Sequence, residues 1–151
     1  MGADKLTWCL KQKRGIELTG LKPHLSESYI KEADDTLGNM LAISGKWKLI
    51  MGYYACYNSL YAILMKCGIR CEIHECSIAL MGLLGFDNGM IDFLIRSKDN
   101  RIQAQYYLKK IEFEDEIGVK RFISKCKEIL EELNSERINE IRSAIEKLKR
   151  G

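Results

Sequence analysis

Between positions 47 and 66 the chain reads WKLIMGYYACYNSLYAILMK, apolar or small at nearly every step. Laid on a helix, Trp47, Ile50, Tyr54, Tyr57, Tyr61 and Met65 recur at intervals of three and four and share one face. Gly52, Ala55, Ser59 and Ala62 form a seam of small residues on the opposite side. A helix with no polar side belongs in the middle of a protein. Its small seam lets a neighbouring backbone come close, and its aromatic stripe reads first as packing. Gly45 precedes it, and Gly68 stands where a left-handed C-terminal cap would close it.

The flanking segments repeat the helical period more weakly. Ser26 and Glu27 supply a capping hydroxyl and a first-turn acid for a helix over 28–44, with Tyr29, Ala33, Leu37, Met40 and Leu41 turned inward. After a short connection at 69–72, a helix is expected over 74–84 through Ile78, Met81 and Leu84. Asp87-Asn88-Gly89 breaks the pattern, a short apolar helix follows over 90–95, and the polar Lys98-Asp99-Asn100 ends it. Residues 101–110 form a separate helical segment, and IEFEDE at 111–116 alternates like an extended connection. Two amphipathic helices close the chain, over 118–133 and, beyond Asn134-Ser135, through Ile138, Ile141, Ile145 and Leu148. Residues 1–27 lack a clear period. They read as a basic docked arm with little regular structure, carrying Lys5, Lys11, Lys13, Arg14 and Lys22, with Pro23 marking a turn. The expected fold is all-α, an up-and-down bundle of five or more helices in one domain spanning 1–151.

Composition narrows this picture in three ways. A single proline in 151 residues favours helices over a turn-rich β fold. A net charge of +3 permits an anionic partner without requiring one. The six cysteines, with no signal-like apolar run near the first residue and no uninterrupted apolar stretch of membrane-spanning length, fit a cytoplasmic protein with reduced thiols.

The order SYIKEADDTL, then GYYACYNSLYAILMKCGI, then His74, then RIQAQYY resembles the HEPN family (higher eukaryotes and prokaryotes nucleotide-binding domain) over about residues 26–133. The most specific part is the Tyr53-Tyr54 pair that opens an aromatic and small-residue helix, with a glycine at its end and a histidine soon after. The resemblance implies a helical bundle that pairs into a homodimer. Its members include metal-independent endoribonuclease toxins and partners of small nucleotidyltransferases in toxin–antitoxin or defence systems. The family's catalytic signature is an arginine, four to six residues, then a histidine. Arg101 matches the arginine, but Tyr106 and Tyr107 stand where the histidine belongs. An ordinary tyrosine titrates near ~10, far from the pH at which it would serve as a base. The expected function is therefore a homodimeric binding module that does not cut and needs no cofactor, associated with a nucleotide or RNA or acting as the partner of a small nucleotidyltransferase in a toxin–antitoxin or defence-type system. The alternative is a ribonuclease using Arg101 with Tyr106 or His74. The candidate ligand-binding set around this pair is Asn100, Gln105, Tyr107, His74 and Arg70.

Two further clusters carry competing readings. Cys67, Cys71, His74 and Cys76 offer four metal ligands within ten residues, but without the longer arm that lets a chain wrap a tetrahedron, so no metal is expected. Arg137, Arg142, Lys147, Lys149 and Arg150 could face phosphate together with the basic arm. Glu136, Glu140 and Glu146 alternate with them and favour a solvated charged face.

Overall fold

A computed structural model describes residues 2–112 and 115–151. They form seven α-helices: α1 (Gly2–Lys11), α2 (Pro23–Ala42), α3 (Lys46–Lys66), α4 (His74–Ala79), α5 (Asn88–Tyr106), α6 (Glu116–Glu132) and α7 (Ser135–Arg150). A 3-10 turn at Leu80–Gly82 extends α4. Two short strands, β1 (Glu17–Leu18) and β2 (Ile69–Arg70), pair antiparallel, with Glu17 opposite Arg70 and Leu18 opposite Ile69. The all-α bundle expected from the periodicity is therefore present. Among the described residues no helix is long and apolar enough to cross a membrane.

Helix α3 is the axis. Thirteen of its 21 residues are buried, too many to leave a solvated side. Helices α2, α5 and α6 all pack on it. The small residues act as the sequence suggests: Ser26 of α2 donates its hydroxyl to the Ala62 carbonyl at 2.7 Å, an approach that a large side chain at 62 would block. Gly68 ends the helix at φ 68°, and a Cβ there would meet the Thr19 carbonyl oxygen at 2.7 Å, so the position needs glycine twice over.

Several expectations are corrected. The arm is not irregular: Leu6 and Cys9 are both buried, which fixes α1 as a docked helix against α4 and α7, and the following residues supply β1. Helix α2 begins at Pro23, five residues early. Proline's fixed φ suits a first helical turn, where its missing N–H goes unneeded. Leu41, expected inward, is exposed. The segments expected over 90–95 and 101–110 join in one helix, α5, which ends at Tyr106, so residues 107–110 lie outside it. Asp99 and Asn100 lie on its solvent side, and neither glycine nor proline interrupts residues 90–106. The extended connection expected over 111–116 includes positions 113 and 114, which lie outside the described residues; Glu116 already belongs to α6.

The cysteines depart furthest from expectation. Cys9 and Cys76 form a disulfide with Cα atoms 5.7 Å apart, joining α1 to α4, so the uniformly reduced state is overturned. Cys56, Cys67, Cys71 and Cys126 are free and buried. Burial pushes the Cys67 thiol up to about 11 and the Cys126 thiol up to about 12, which keeps both as inert hydrophobes at neutral pH.

The basic residues of α7 serve the fold. Arg142 Nη1 donates to the carbonyls of Thr19, Cys67 and Gly68 at 2.9, 2.9 and 3.0 Å, satisfying the end of α3 where the helix has no partners of its own. Arg137 donates to the Leu83 carbonyl at 2.8 Å. Neither guanidinium belongs to a phosphate-facing surface. Replacing Arg142 with methionine keeps the stem but takes this donor from the Thr19 and Cys67 carbonyls, while the Gly68 carbonyl keeps the Thr19 amide at 2.7 Å. We expect a loss of roughly 2–3 kcal/mol in urea unfolding with an unchanged slope, whereas Lys147→Met on the same helix stays within about 0.5 kcal/mol.

Candidate functional site

One open groove on the molecule is walled by tyrosine. It encloses about 490 Å³ between α2, α3 and the chain that runs from β2 into α4. Tyr54, Tyr57 and Tyr61 come from α3, spaced so that successive turns present one face, and Tyr29 of α2 faces them. His74, at the start of α4, closes one end, while Lys22, Arg70 and Glu72 stand at the margins. The aromatic stripe of the central helix is thus only partly core. Ile50 and Tyr57 are buried, Trp47 is exposed, and Tyr54 and Tyr61 are half-buried in the groove wall.

The hydroxyls of the four α3 tyrosines are committed to the protein. Tyr57 shares a hydrogen bond with Ser77 at 2.9 Å, and Tyr61 accepts from the Cys71 amide at 3.2 Å. Tyr53 shares one with His74 Nδ1 at 2.7 Å, and Tyr54 accepts from Arg101 at 3.0 Å. Such bonds fix the ring planes. Tyr57 stacks on His74 with centroids 3.9 Å apart and planes within 10°, and stacks more loosely on Tyr61 at 6.0 Å. Tyr29 meets Tyr61 edge-on at 5.0 Å. The result is a row of oriented π surfaces ending in an imidazole.

Arg101 sits behind this row. Its residue is only 7% exposed, yet among the described residues no carboxylate lies within ion-pair distance. The charge is held by the rings of Tyr53, Tyr54 and Tyr106, whose centroids lie 4.9, 5.3 and 5.9 Å from its Cζ. Nη1 also donates to Gln105 Oε1 at 3.4 Å, while the buried Nε has no partner among the described residues. A buried cation with no counter-charge and an orphaned N–H is an expensive arrangement for stability alone.

His74 feels that charge. Burial, then Arg101 and Lys98, push its imidazole down to about 4, so it is neutral at pH 7. Desolvation pushes the phenols of Tyr53 and Tyr57 up, so both stay protonated.

The fold brings some of the expected site residues together and separates others. Arg101, Gln105 and Tyr106 cluster, and His74 joins them through the Tyr53–Tyr54 pair. Tyr106 and Tyr107 are themselves exposed. Arg70 is at the groove margin, engaged by Glu17. Asn100 lines a separate pocket of about 100 Å³ with Tyr53, Arg96 and Asp115. The cysteine cluster does not assemble, because Cys76 is bonded to Cys9, and among the described residues no group of three or more potential metal ligands converges. Sequence reasoning missed Tyr29, Tyr54, Tyr57, Asn58 and Tyr61 as site residues. The available signal was the hydroxyl: a stripe meant only for core would use phenylalanine, since a buried phenol demands a partner.

The sign of the pH dependence follows from His74. Between about 4 and 6.5 the unfolded chain binds more proton at this residue than the folded one, so stability falls as pH drops through that window and is level above it. Urea midpoints for the wild type minus those for His74→Gln are expected to decline from pH 6.5 to 4. A difference that stays flat contradicts a depressed imidazole. Compared with family models, curated proteins and solved structures, the chain matches none.

Proposed function

We propose that the protein is a nucleotide- or RNA-binding module of the HEPN kind that binds without cutting, with the tyrosine groove taking a base and Arg101 answering a phosphate. The observation that carries this reading is the buried, unpaired guanidinium joined by one hydroxyl to an aromatic groove. An anion supplies the missing counter-charge, and an Arg–phosphate bond is among the stronger hydrogen bonds available. Oriented tyrosine faces stack any base, because every base presents a π surface. The resemblance in sequence adds the homodimer and a small nucleotidyltransferase as partner.

A ribonuclease reading draws on a different observation: folding places His74 near Arg101 although the two are far apart in the chain. That histidine is a poor general base at neutral pH, since its proton affinity has been lowered well below the working range.

Fluorescence titration with labelled AMP tests the first reading. Arg101→Gln is expected to weaken binding at least about tenfold, the value of one charge-assisted bond. Tyr54→Phe, which removes only the hydroxyl that holds the guanidinium, is expected to weaken it by a smaller factor, with circular dichroism unchanged in both variants. Binding that survives both substitutions removes the reading. Cleavage of labelled RNA in chelator that disappears in Arg101→Gln would install the ribonuclease in its place.

A further inference from the structure

A second concavity of about 760 Å³ lies between the start of α3 and the chain leaving α5. Among the described residues four lysines line it, Lys46, Lys48, Lys109 and Lys110, against one acidic side chain, Glu112. Lys48 is paired with Glu116, while Lys46, Lys109 and Lys110 have no acidic partner among the described residues. Large apolar groups stand exposed beside them: Trp47 is 54% exposed, and Tyr106 and Tyr107 about two-thirds exposed. Lys46 rests over the Trp47 ring at 5.5 Å.

The backbone at this edge is costly. Leu108 lines the cleft, is 74% exposed and holds φ at 55°, a left-handed conformation that a branched residue adopts at a cost of about 1 kcal/mol or more. The Lys109 amide donates to the Gln103 carbonyl at 3.0 Å and locks the turn. The left-handed residue closes α5 and lets a helix-end carbonyl find a donor, while the exposed Leu108 side chain takes no part in that closure. The turn does carry Tyr106 and Tyr107 outward and sets Lys109 and Lys110 in the cleft.

We infer that this cleft carries the sugar–phosphate backbone of a single-stranded nucleic acid, with Tyr106 and Tyr107 as stacking platforms beside it. The occupant follows from charge and ring together. Unpaired lysines favour a polyanion, and exposed planar rings next to them favour unpaired bases. Inside the protein, Tyr106 at the edge of this segment lies against Arg101, which is bonded to Tyr54 in the wall of the tyrosine groove. This inference rests on the nucleotide reading of the groove and adds to it that the ligand is a strand several nucleotides long.

The test compares a fluorescein-labelled twelve-nucleotide oligouridine with labelled AMP, each titrated at several salt concentrations. For Lys109→Ala/Lys110→Ala, the slope of log affinity against log salt for the oligouridine is expected to shrink by about 1.4, roughly 0.7 per lost phosphate contact, with AMP binding unchanged. Tyr107→Ala is expected to weaken the oligouridine roughly tenfold and leave AMP alone. Oligouridine binding with an unaltered salt slope in the lysine variant overturns the track while the groove reading stands. Oligouridine binding that depends on the lysines, with no AMP binding, keeps the track and removes the groove reading. No binding of either probe overturns both. Light scattering that shows self-association abolished by Tyr107→Ala, without oligouridine binding, assigns the surface to a second copy of the chain and also overturns the track.

Discussion

A helix with no polar side cannot stand at a surface, and this protein is arranged to hide one. Every turn of α3 has to be covered, and α2, α5 and α6 each take a sector of it. The small residues decide which neighbours come close, as the Ser26 bond to the Ala62 carbonyl shows. The large residues decide where covering stops. Tyrosines fill the last sector, and since a phenol tolerates both a dry ring and a wet edge, that sector is left as a groove. The rest of the chain supports the ends of the same helix, with Gly68 turning its terminus and Arg142 satisfying its last carbonyls.

Against that background Arg101 is out of place. An interior built from Leu, Ile, Met and small residues has no use for a guanidinium, and replacing such a charge by an apolar side chain generally leaves a fold as stable or more so. Three aromatic rings and one phenol hydroxyl moderate the cost without cancelling the charge. The same charge reaches His74 and helps to hold it neutral. One unpaired cation thus sets the electrostatics at one end of the groove.

The helices were legible in the sequence wherever burial followed a period. The extent of α3 and its glycine cap could be read almost to the residue, because apolar side chains on every face leave no other assignment. Helix α5 was read as two pieces because Asp99 and Asn100 look like a break when they mark only the wet side of a helix. Helix α1 was missed for the opposite reason: Leu6 and Cys9 are too few to declare a period, and what holds them is tertiary. At the site, Arg101 and His74 stood out as isolated polar groups, but their shared dependence on Tyr53 and Tyr54 is a matter of packing that no spacing reveals. The disulfide lay beyond reach too, since six cysteines give no clue to which two meet.

Helix α4 spans only six residues, fewer than two turns, and a helix that short does not hold its own direction. It nonetheless carries the imidazole that closes the groove. What steadies it comes from the opposite end of the sequence: the Cys9–Cys76 bond and the 2.9 Å contact between Lys5 and Glu75 clamp it to α1. Residues 4–12 line no part of the groove, and their helix still acts as its splint. Under reducing conditions the covalent half of that clamp would open, and the hold of Tyr53 and Tyr57 on His74, with the Lys5–Glu75 pair, would be left to position the short helix, which ties the sharpness of the pocket to the thiol chemistry around the protein.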